Sequence, residues 1–268
     1  MGPRVALVVV DDGLYTHRWV TPLILNPGFP IVLVAVLDAF SARNFNPAAP
    51  PGRWRVVRAR ARYYGLFATV KFAAAWARQR WLDALFRLRL RATPGSVVSA
   101  TRRAGVPVRR VRDGDVNSRA MLAVLESHQP DLLICAFSQK AGLEFLKVAR
   151  LGCLNVHFSL LPQHRGREPG FWSLLHGSGA GVSVHWMNPE IDAGAVVCQE
   201  AYGIAQCRTL HETILRGCEV AERVVRKSVC LAGDWSGDRI CQDPLPPLNR
   251  WPAPEDVKVF RERGFRFM

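Results

Sequence analysis

Short β-branched runs alternate with amphipathic stretches along this chain. Arg4–Val10 closes on Asp11-Asp12-Gly13, a pattern that predicts a buried strand, a turn and then a helix. Ile31–Leu37 reads as a second strand, and the proline-rich stretch 45–52 as a loop. After Thr93-Pro94-Gly95 the pattern predicts a helix towards Arg103, a strand at Val106–Val111, a helix at Asn117–Gln129 and a strand at Asp131–Phe137. This alternation favours parallel pairing with right-handed crossovers. Strands at Leu154–His157, Val182–Trp186 and Ala195–Gln199 extend the sheet, with helices at Glu168–His176 and Thr209–Leu231. From Gln242 onward Pro244, Pro246, Pro247, Pro252 and Pro254 predict an extended tail, ending in a short helix at Glu255–Gly264. The expected fold class is α/β, a Rossmann-like, mostly parallel sheet flanked by helices. A main domain is expected over 1–200, with a helical insertion over 52–92, and a helical and proline-rich extension over 201–268.

Composition narrows the class. With 268 residues, 49% of them apolar and 22% charged, the chain can bury a sizeable core and is not disordered. Its apolar runs fall short of the roughly 20 residues that a membrane span needs, and no basic segment precedes a signal-type run. The expectation is a soluble cytoplasmic chain. Seven cysteines, none in a Cys-x-x-Cys pair, read as reduced and mostly buried thiols. None has metal-ligand spacing with neighbouring histidines, so no metal is implied. Cys153 lies in an apolar strand, where packing rather than nucleophilic chemistry is expected.

Charge is distributed unevenly. The net charge is +14, yet residues 53–112 hold fifteen Arg and one Lys against the single acid Asp83, so that one segment carries the whole excess. Tyr63, Tyr64, Phe67, Phe72, Trp76, Trp81, Leu85 and Leu88 interleave with these arginines at helical steps. A basic amphipathic helix follows. One reading is a surface for polyanions: anionic lipid, a nucleotide diphosphate or RNA. The other, favoured here, is a solvated arginine face over an ordinary core stripe.

Candidate chemistry concentrates between Leu151 and Gln199. Strand geometry puts Asn155, His157 and Ser159 on one face at the end of a strand, where open α/β sheets bind ligands. Downstream, Asn188-Pro189-Glu190-Ile191-Asp192-Ala193-Gly194 is a turn-rich loop that supplies carboxylates. Asn, His and Asp together suit acyl transfer without a covalent intermediate. The amide donates to a developing oxyanion, the imidazole relays a proton, and the carboxylate orients and compensates the ring. Taken singly, each has a structural reading: His157 as a satisfied buried histidine, Asn155 as a turn former, Asp192 as a loop cap.

The run Leu151-Gly152-Cys153-Leu154-Asn155-Val156-His157-Phe158-Ser159-Leu160-Leu161-Pro162-Gln163-His164-Arg165-Gly166 is the core of a wider motif set. It is followed by Pro169, Phe171-Trp172, Gly177, Gly181-Val182-Ser183-Val184-His185 and Ile191-Asp192-Ala193-Gly194. This set closely resembles the formyltransferase family that uses 10-formyltetrahydrofolate. The resemblance is strong over Pro130–Gln199 and implies Asn155, His157 and Asp192 as the catalytic trio. It implies attack by an unprotonated amine on the formyl carbon, with Asn155 and His157 holding the oxyanion. It also implies a folate cleft lined by Phe137, Ser138, Gln139 and Lys140, by Ser159, Leu160, Leu161 and Pro162, and by Glu190 and Ile191. Phe158 stands where many relatives have Pro, and Ala193 where many have Thr.

The acceptor is narrowed by what the sequence lacks. No Gly-rich loop follows Val10, which counts against a ribonucleotide phosphate in that turn. The 69 residues after Gln199 show no run of alternating strands, so a tRNA-binding barrel is not expected there. Phe171-Trp172 and Val184-His185-Trp186 resemble short members that formylate nucleotide-linked amino sugars. Arg165, Arg167 and His185 are then the expected acceptor-side residues, the arginines pairing a diphosphate. The alternatives are a methionyl-tRNA formyltransferase-like activity, a 10-formyltetrahydrofolate hydrolase, and a non-catalytic paralogue at a membrane surface. The expected partners are a small amine acceptor and, through residues 53–112, an anionic membrane; nucleic acid is not expected, and self-association is left open.

Overall fold

A computed structural model describes residues 2–38, 58, 61–111, 114–233 and 241–268. The predicted loop over 45–52 lies outside them. The chain divides into two compact units, residues 1–153 and 154–268.

The first unit is built on the predicted α/β alternation. Strand β1 (Val5–Asp11) pairs in parallel with β2 (Ile31–Asp38) on one side and with β4 (Leu132–Ala136) on the other. β2 pairs in parallel with β3 (Val108–Val111), so the order is β3-β2-β1-β4. Residues 5–9, 33–37 and 132–135 are almost wholly buried, as parallel strands covered on both faces require. Helices α1 (Thr16–Leu25), α2 (Leu66–Arg87), α3 (Val97–Arg103), α4 (Arg119–His128) and α5 (Leu143–Lys147) complete the unit. Ser96 and Ser118 cap α3 and α4 by accepting the N–H groups of Ser99 and Met121. Within the basic insertion expected over 52–92, Leu66–Arg87 is helical, but its aromatic residues do not form one core stripe. Phe67, Trp81 and Leu88 are exposed, while the fully buried residues of α2 are Ala68, Gln79 and Asp83.

The second unit carries antiparallel pairing. Strand β5 (Gly152–His157), which begins at the unit boundary, runs antiparallel to β6 (Ala180–Trp186), with Asn155 opposite His185 and His157 opposite Ser183. β6 in turn pairs antiparallel with β7 (Val196–Tyr202). Helix α6 (Pro169–His176) follows β5. The long helix α7 (Leu210–Gly233) packs its Val220, Val224, Val225 and Val229 stripe across β6 and β7. The last helix, α8 (Pro254–Glu262), docks through Phe260, whose ring stacks on Phe171 of α6 at 4.5 Å between centroids. All seven cysteines are free thiols, and five of them are buried. No described helix is long and apolar enough to cross a membrane.

Candidate active site

The last turn of β5 delivers Asn155 and His157 from one face of the strand, both buried. β6 delivers His185 beside them, because antiparallel register sets it directly across from Asn155. The loop between β6 and β7 delivers Asp192. Its carboxylate binds the group together: Oδ1 accepts from Asn155 Nδ2 at 3.4 Å and lies 3.5 Å from His185 Nε2. Oδ2 lies 3.6 Å from His157 Nδ1 and accepts the Gly166 N–H at 2.9 Å. His185 Nδ1 faces the Trp186 carbonyl at 2.9 Å; a carbonyl only accepts, so Nδ1 carries the proton, and in a neutral ring Nε2 is the acceptor for Asn155 Nδ2 at 3.2 Å. By the same reasoning His157 Nε2 donates to the His164 carbonyl at 3.1 Å.

Burial alone would raise the Asp192 pKa. When protonated, His157 by its charge and His185 by its charge and a hydrogen bond from Nε2, together with the Gly166 N–H, outweigh burial and hold the carboxyl well below the usual carboxylate range. A permanent negative charge therefore sits beside two imidazoles and a primary amide.

Two backbone features fix Asp192 there. Its φ is +50°, a left-handed conformation that a non-glycine residue holds only when its surroundings impose it. Gly194, two residues on, leaves room for the Trp186 carbonyl, which would lie 1.7 Å from a Cβ at that position. The Asp-x-Gly pattern is thus a steric requirement of the loop.

Arg165 supplies the remaining restraint. Its side chain is 4% exposed and donates to the Glu190 carboxylate at 3.0 Å, to the Ile191 carbonyl at 2.5 Å and to the Pro246 carbonyl at 3.3 Å. The guanidinium expected to face an acceptor diphosphate is engaged by the loop that carries Asp192 and by the C-terminal tail. Arg167 lies with its guanidinium carbon 5.8 Å from the Trp251 ring centre. The tail completes the frame: Asn249 N–H donates to the Arg165 carbonyl at 2.8 Å, Arg167 N–H to the Asn249 carbonyl at 2.9 Å, and Gln242 Nε2 to the Gly194 carbonyl at 2.6 Å. Nothing in the sequence pattern of 241–250 marks this role beyond its prolines.

The residues expected along the folate cleft fall in two groups. In the second unit, Ser159 is fully buried and its hydroxyl donates to the Gln163 carbonyl at 2.7 Å, closing the turn after β5. Ser183 accepts the Leu161 N–H at 3.0 Å and donates to the Ser159 carbonyl at 2.7 Å. Leu160 packs over Gly181, Leu161 is buried, and Pro162 is partly exposed. Glu190 is largely exposed apart from its bond to Arg165. In the first unit, Phe137 packs edge-on against Phe145 at 5.6 Å. Gln139 accepts the Val116 N–H at 3.3 Å and donates to the Gly114 carbonyl, Lys140 takes Asn117 Nδ2 on its carbonyl at 3.0 Å, and Ser138 is exposed.

His164, which the sequence reading left out, contributes its carbonyl to His157. Its ring lies 2.5 Å from Ser178 Oγ and beside His176. Burial, with the nearby His176 and His157, lowers its pKa to about 4.

Known proteins bear on this arrangement. A family model described as formyl transferase matches residues 83–228, more than half of the chain. A methionyl-tRNA formyltransferase from Moorella thermoacetica is 32% identical over 184 residues, covering 64% of this chain and 58% of that protein. The chain thus matches less than two thirds of the length of that relative. Among solved structures, a phosphoribosylglycinamide formyltransferase from Anaplasma phagocytophilum superposes with a TM-score of 0.59 at 18% identity, covering 93% of this chain and all (100%) of that one. A sugar N-formyltransferase from Shewanella superposes with a TM-score of 0.55 at 16% identity, covering 96% of this chain and 86% of that one. These superpositions show a shared Rossmann-like fold, and with the match over residues 83–228 the chain belongs to the formyl transferase family.

Proposed function

We propose that this chain moves a formyl group from 10-formyltetrahydrofolate to the primary amine of an acceptor, with a nucleotide-linked amino sugar as the preferred acceptor class. The observation that carries the reading is the Asp192 carboxylate bridging Asn155 Nδ2 at 3.4 Å and His157 Nδ1 at 3.6 Å. The donor set fits a formyl oxygen. An amide N–H and an imidazole N–H stand two residues apart on one strand face, beside a fixed anion. Cys153, two residues from Asn155, does not compete as nucleophile, since burial pushes its pKa up to about 12.

The folate supplies, when bound, a formyl group on a nitrogen able to leave. The chain's own residues do the rest. Asn155 and His157 donate to the formyl oxygen as negative charge gathers there; His157 exchanges its contact with the His164 carbonyl, and Asn155 one of its contacts with His185 and Asp192. Asp192 stays anionic through the neutral range and faces His157 Nδ1, the unprotonated nitrogen of the neutral ring, so it accepts from that nitrogen and offsets the imidazolium once the ring takes a proton there. The attacking amine must lose a proton, and His157 is the trio's group able to relay it.

A second acceptor reading has its own support. The sequence likeness to a methionyl-tRNA formyltransferase favours the amine of a charged tRNA, whereas Phe171-Trp172 and Val184-His185-Trp186 favour an amino sugar. Incubation with 10-formyltetrahydrofolate and a panel of amino-sugar nucleotides and methionyl-tRNA separates them by mass. We expect a gain of one formyl group on a sugar nucleotide. Formylation of methionyl-tRNA alone would reassign the acceptor, and formate release without any amine would make the chain a hydrolase.

A further inference from the structure

Helix α2 buries two polar side chains and exposes a line of apolar ones. On its buried face Gln79 Nε2 donates to the Gly95 carbonyl at 2.7 Å, and Asp83 accepts the Gly95 N–H at 3.2 Å. On its outer face Leu66 is 78% exposed, Val70 58%, Trp81 61% and Leu88 68%, with Ala77 also exposed. Positions 66, 70, 77, 81 and 88 advance by steps of four and seven, which keeps them on one line of a straight helix. Phe67 and Leu90 widen the patch. Six of the eleven exposed large apolar side chains among the described residues lie between Leu66 and Leu90. An ordinary surface helix has the reverse arrangement, so this face is made for something other than water.

Cations flank the stripe on both sides. Lys71 and Arg78 each follow a stripe position by one residue, which rotates them to one edge; Arg80 and Arg87 each precede one, which rotates them to the other. All four are exposed. The single acid of α2, Asp83, is buried on the opposite face and pairs with Arg87 Nε at 3.6 Å. Two copies meeting through this stripe would bring rows of like charge together, whereas an anionic bilayer matches apolar centre and basic edges at once.

We propose that α2 is an interfacial anchor lying on an anionic lipid surface. Leu66, Val70, Trp81 and Leu88 enter the boundary between headgroups and acyl chains, while Lys71, Arg78 and Arg80 pair with lipid phosphates. The anchor lies on the membrane without crossing it, because no described helix is apolar enough to span one. This assignment is independent of the formyl-transfer reading, since no residue of α2 belongs to the candidate trio.

Co-sedimentation of the full chain with phosphatidylcholine vesicles, with and without phosphatidylglycerol, tests it. Binding should require phosphatidylglycerol and weaken as salt is raised. Two double variants, Trp81→Ser with Leu88→Ser and Lys71→Gln with Arg78→Gln, should each bind at least about tenfold more weakly, with the far-UV circular dichroism of the wild type. No binding to phosphatidylglycerol vesicles, equal binding to neutral ones, or unchanged binding by both variants would overturn the proposal. So would a dimer in solution that the Trp81→Ser, Leu88→Ser variant abolishes while vesicle binding is absent.

Discussion

Each oxygen of the Asp192 carboxylate faces two partners, and the four contacts reach four separate points of the chain: Asn155, His157, Gly166 and His185. The side chain is therefore both an electrostatic device and a structural knot. Replacing Asn155 by Ala removes one donor for the developing charge and should lower kcat about 10²–10³-fold with little change in acceptor KM, measured by steady-state kinetics. Arg165 holds the neighbouring Glu190 and Ile191, so Arg165→Met should act through placement of Asp192. It should lower kcat about 10- to 100-fold while acceptor KM stays within a few-fold. A raised KM at unchanged kcat would return Arg165 to direct contact with the acceptor. Residue-level legibility was uneven for a physical reason. Period-two geometry and the Asp-x-Gly loop announced Asn155, His157 and Asp192. The cross-strand neighbour of Asn155 depends on register, so His185 read only as an acceptor-side residue, and nothing local shows that a charged side chain such as Arg165 has buried partners.

At the scale of elements, backbone bonds join the loop after β5 to the tail over 241–250, and the side chains of Asp192, Arg165 and Gln242 tie the Asp192 loop to both. Gly166 is the narrow point between loop and tail: its φ is +100°, and a Cβ there would come within 2.5 Å of the Asn249 carbonyl. Gly166→Ala should push the tail from the loop and shift the N–H that anchors Asp192. We expect faster protease cleavage within 241–250, followed by mass spectrometry, together with a fall in kcat; an uncut tail with normal kcat would show that the frame tolerates the strain. Apart from the short helix α5 (Leu143–Lys147), which no sequence period marks, the strands and helices of the described residues were legible because hydrophobic period changes sharply between elements, as at Val5–Asp11 and Leu210–Gly233. The docking of an irregular proline-rich tail has no period to read. An aromatic stripe at helical spacing does not say which of its members face the core: Phe72, Trp76 and Leu85 are half-buried, whereas Phe67, Trp81 and Leu88 are exposed.

Over the whole molecule, buried titratable groups oppose one another with pH. Burial, and then the Asp12 charge, raise the Asp11 pKa to about 6. The native state therefore holds this proton in a window where an unfolded carboxyl has lost it, and the stability it contributes is present below about pH 4 and lost as pH rises through about 6. Burial lowers His17 and His164 to about 4. Their neutral burial stabilises above the unfolded value of about 6.5, and that contribution is lost as pH falls towards 4. Asp11→Asn should accordingly raise Tm by roughly 2–6 °C at pH 7.5 and by almost nothing at pH 4. Calorimetry at both values checks this, and an equal change at the two would show that Asp11 does not titrate differently on folding. The parallel half of the molecule followed from strand–helix alternation, whereas the antiparallel turn-back of β5, β6 and β7 is set by pairing partners that composition leaves unspecified.

The most direct test is a double-mutant cycle on His157 and Asp192, reading kcat for formyl transfer to the acceptor amine found by the panel. A carboxylate that acts through the imidazole predicts that His157→Asn and Asp192→Asn each lower kcat about 10²–10³-fold, and that the double variant is little worse than the more damaged single one. Losses that multiply in the double variant, or a single variant that keeps wild-type kcat, would contradict it.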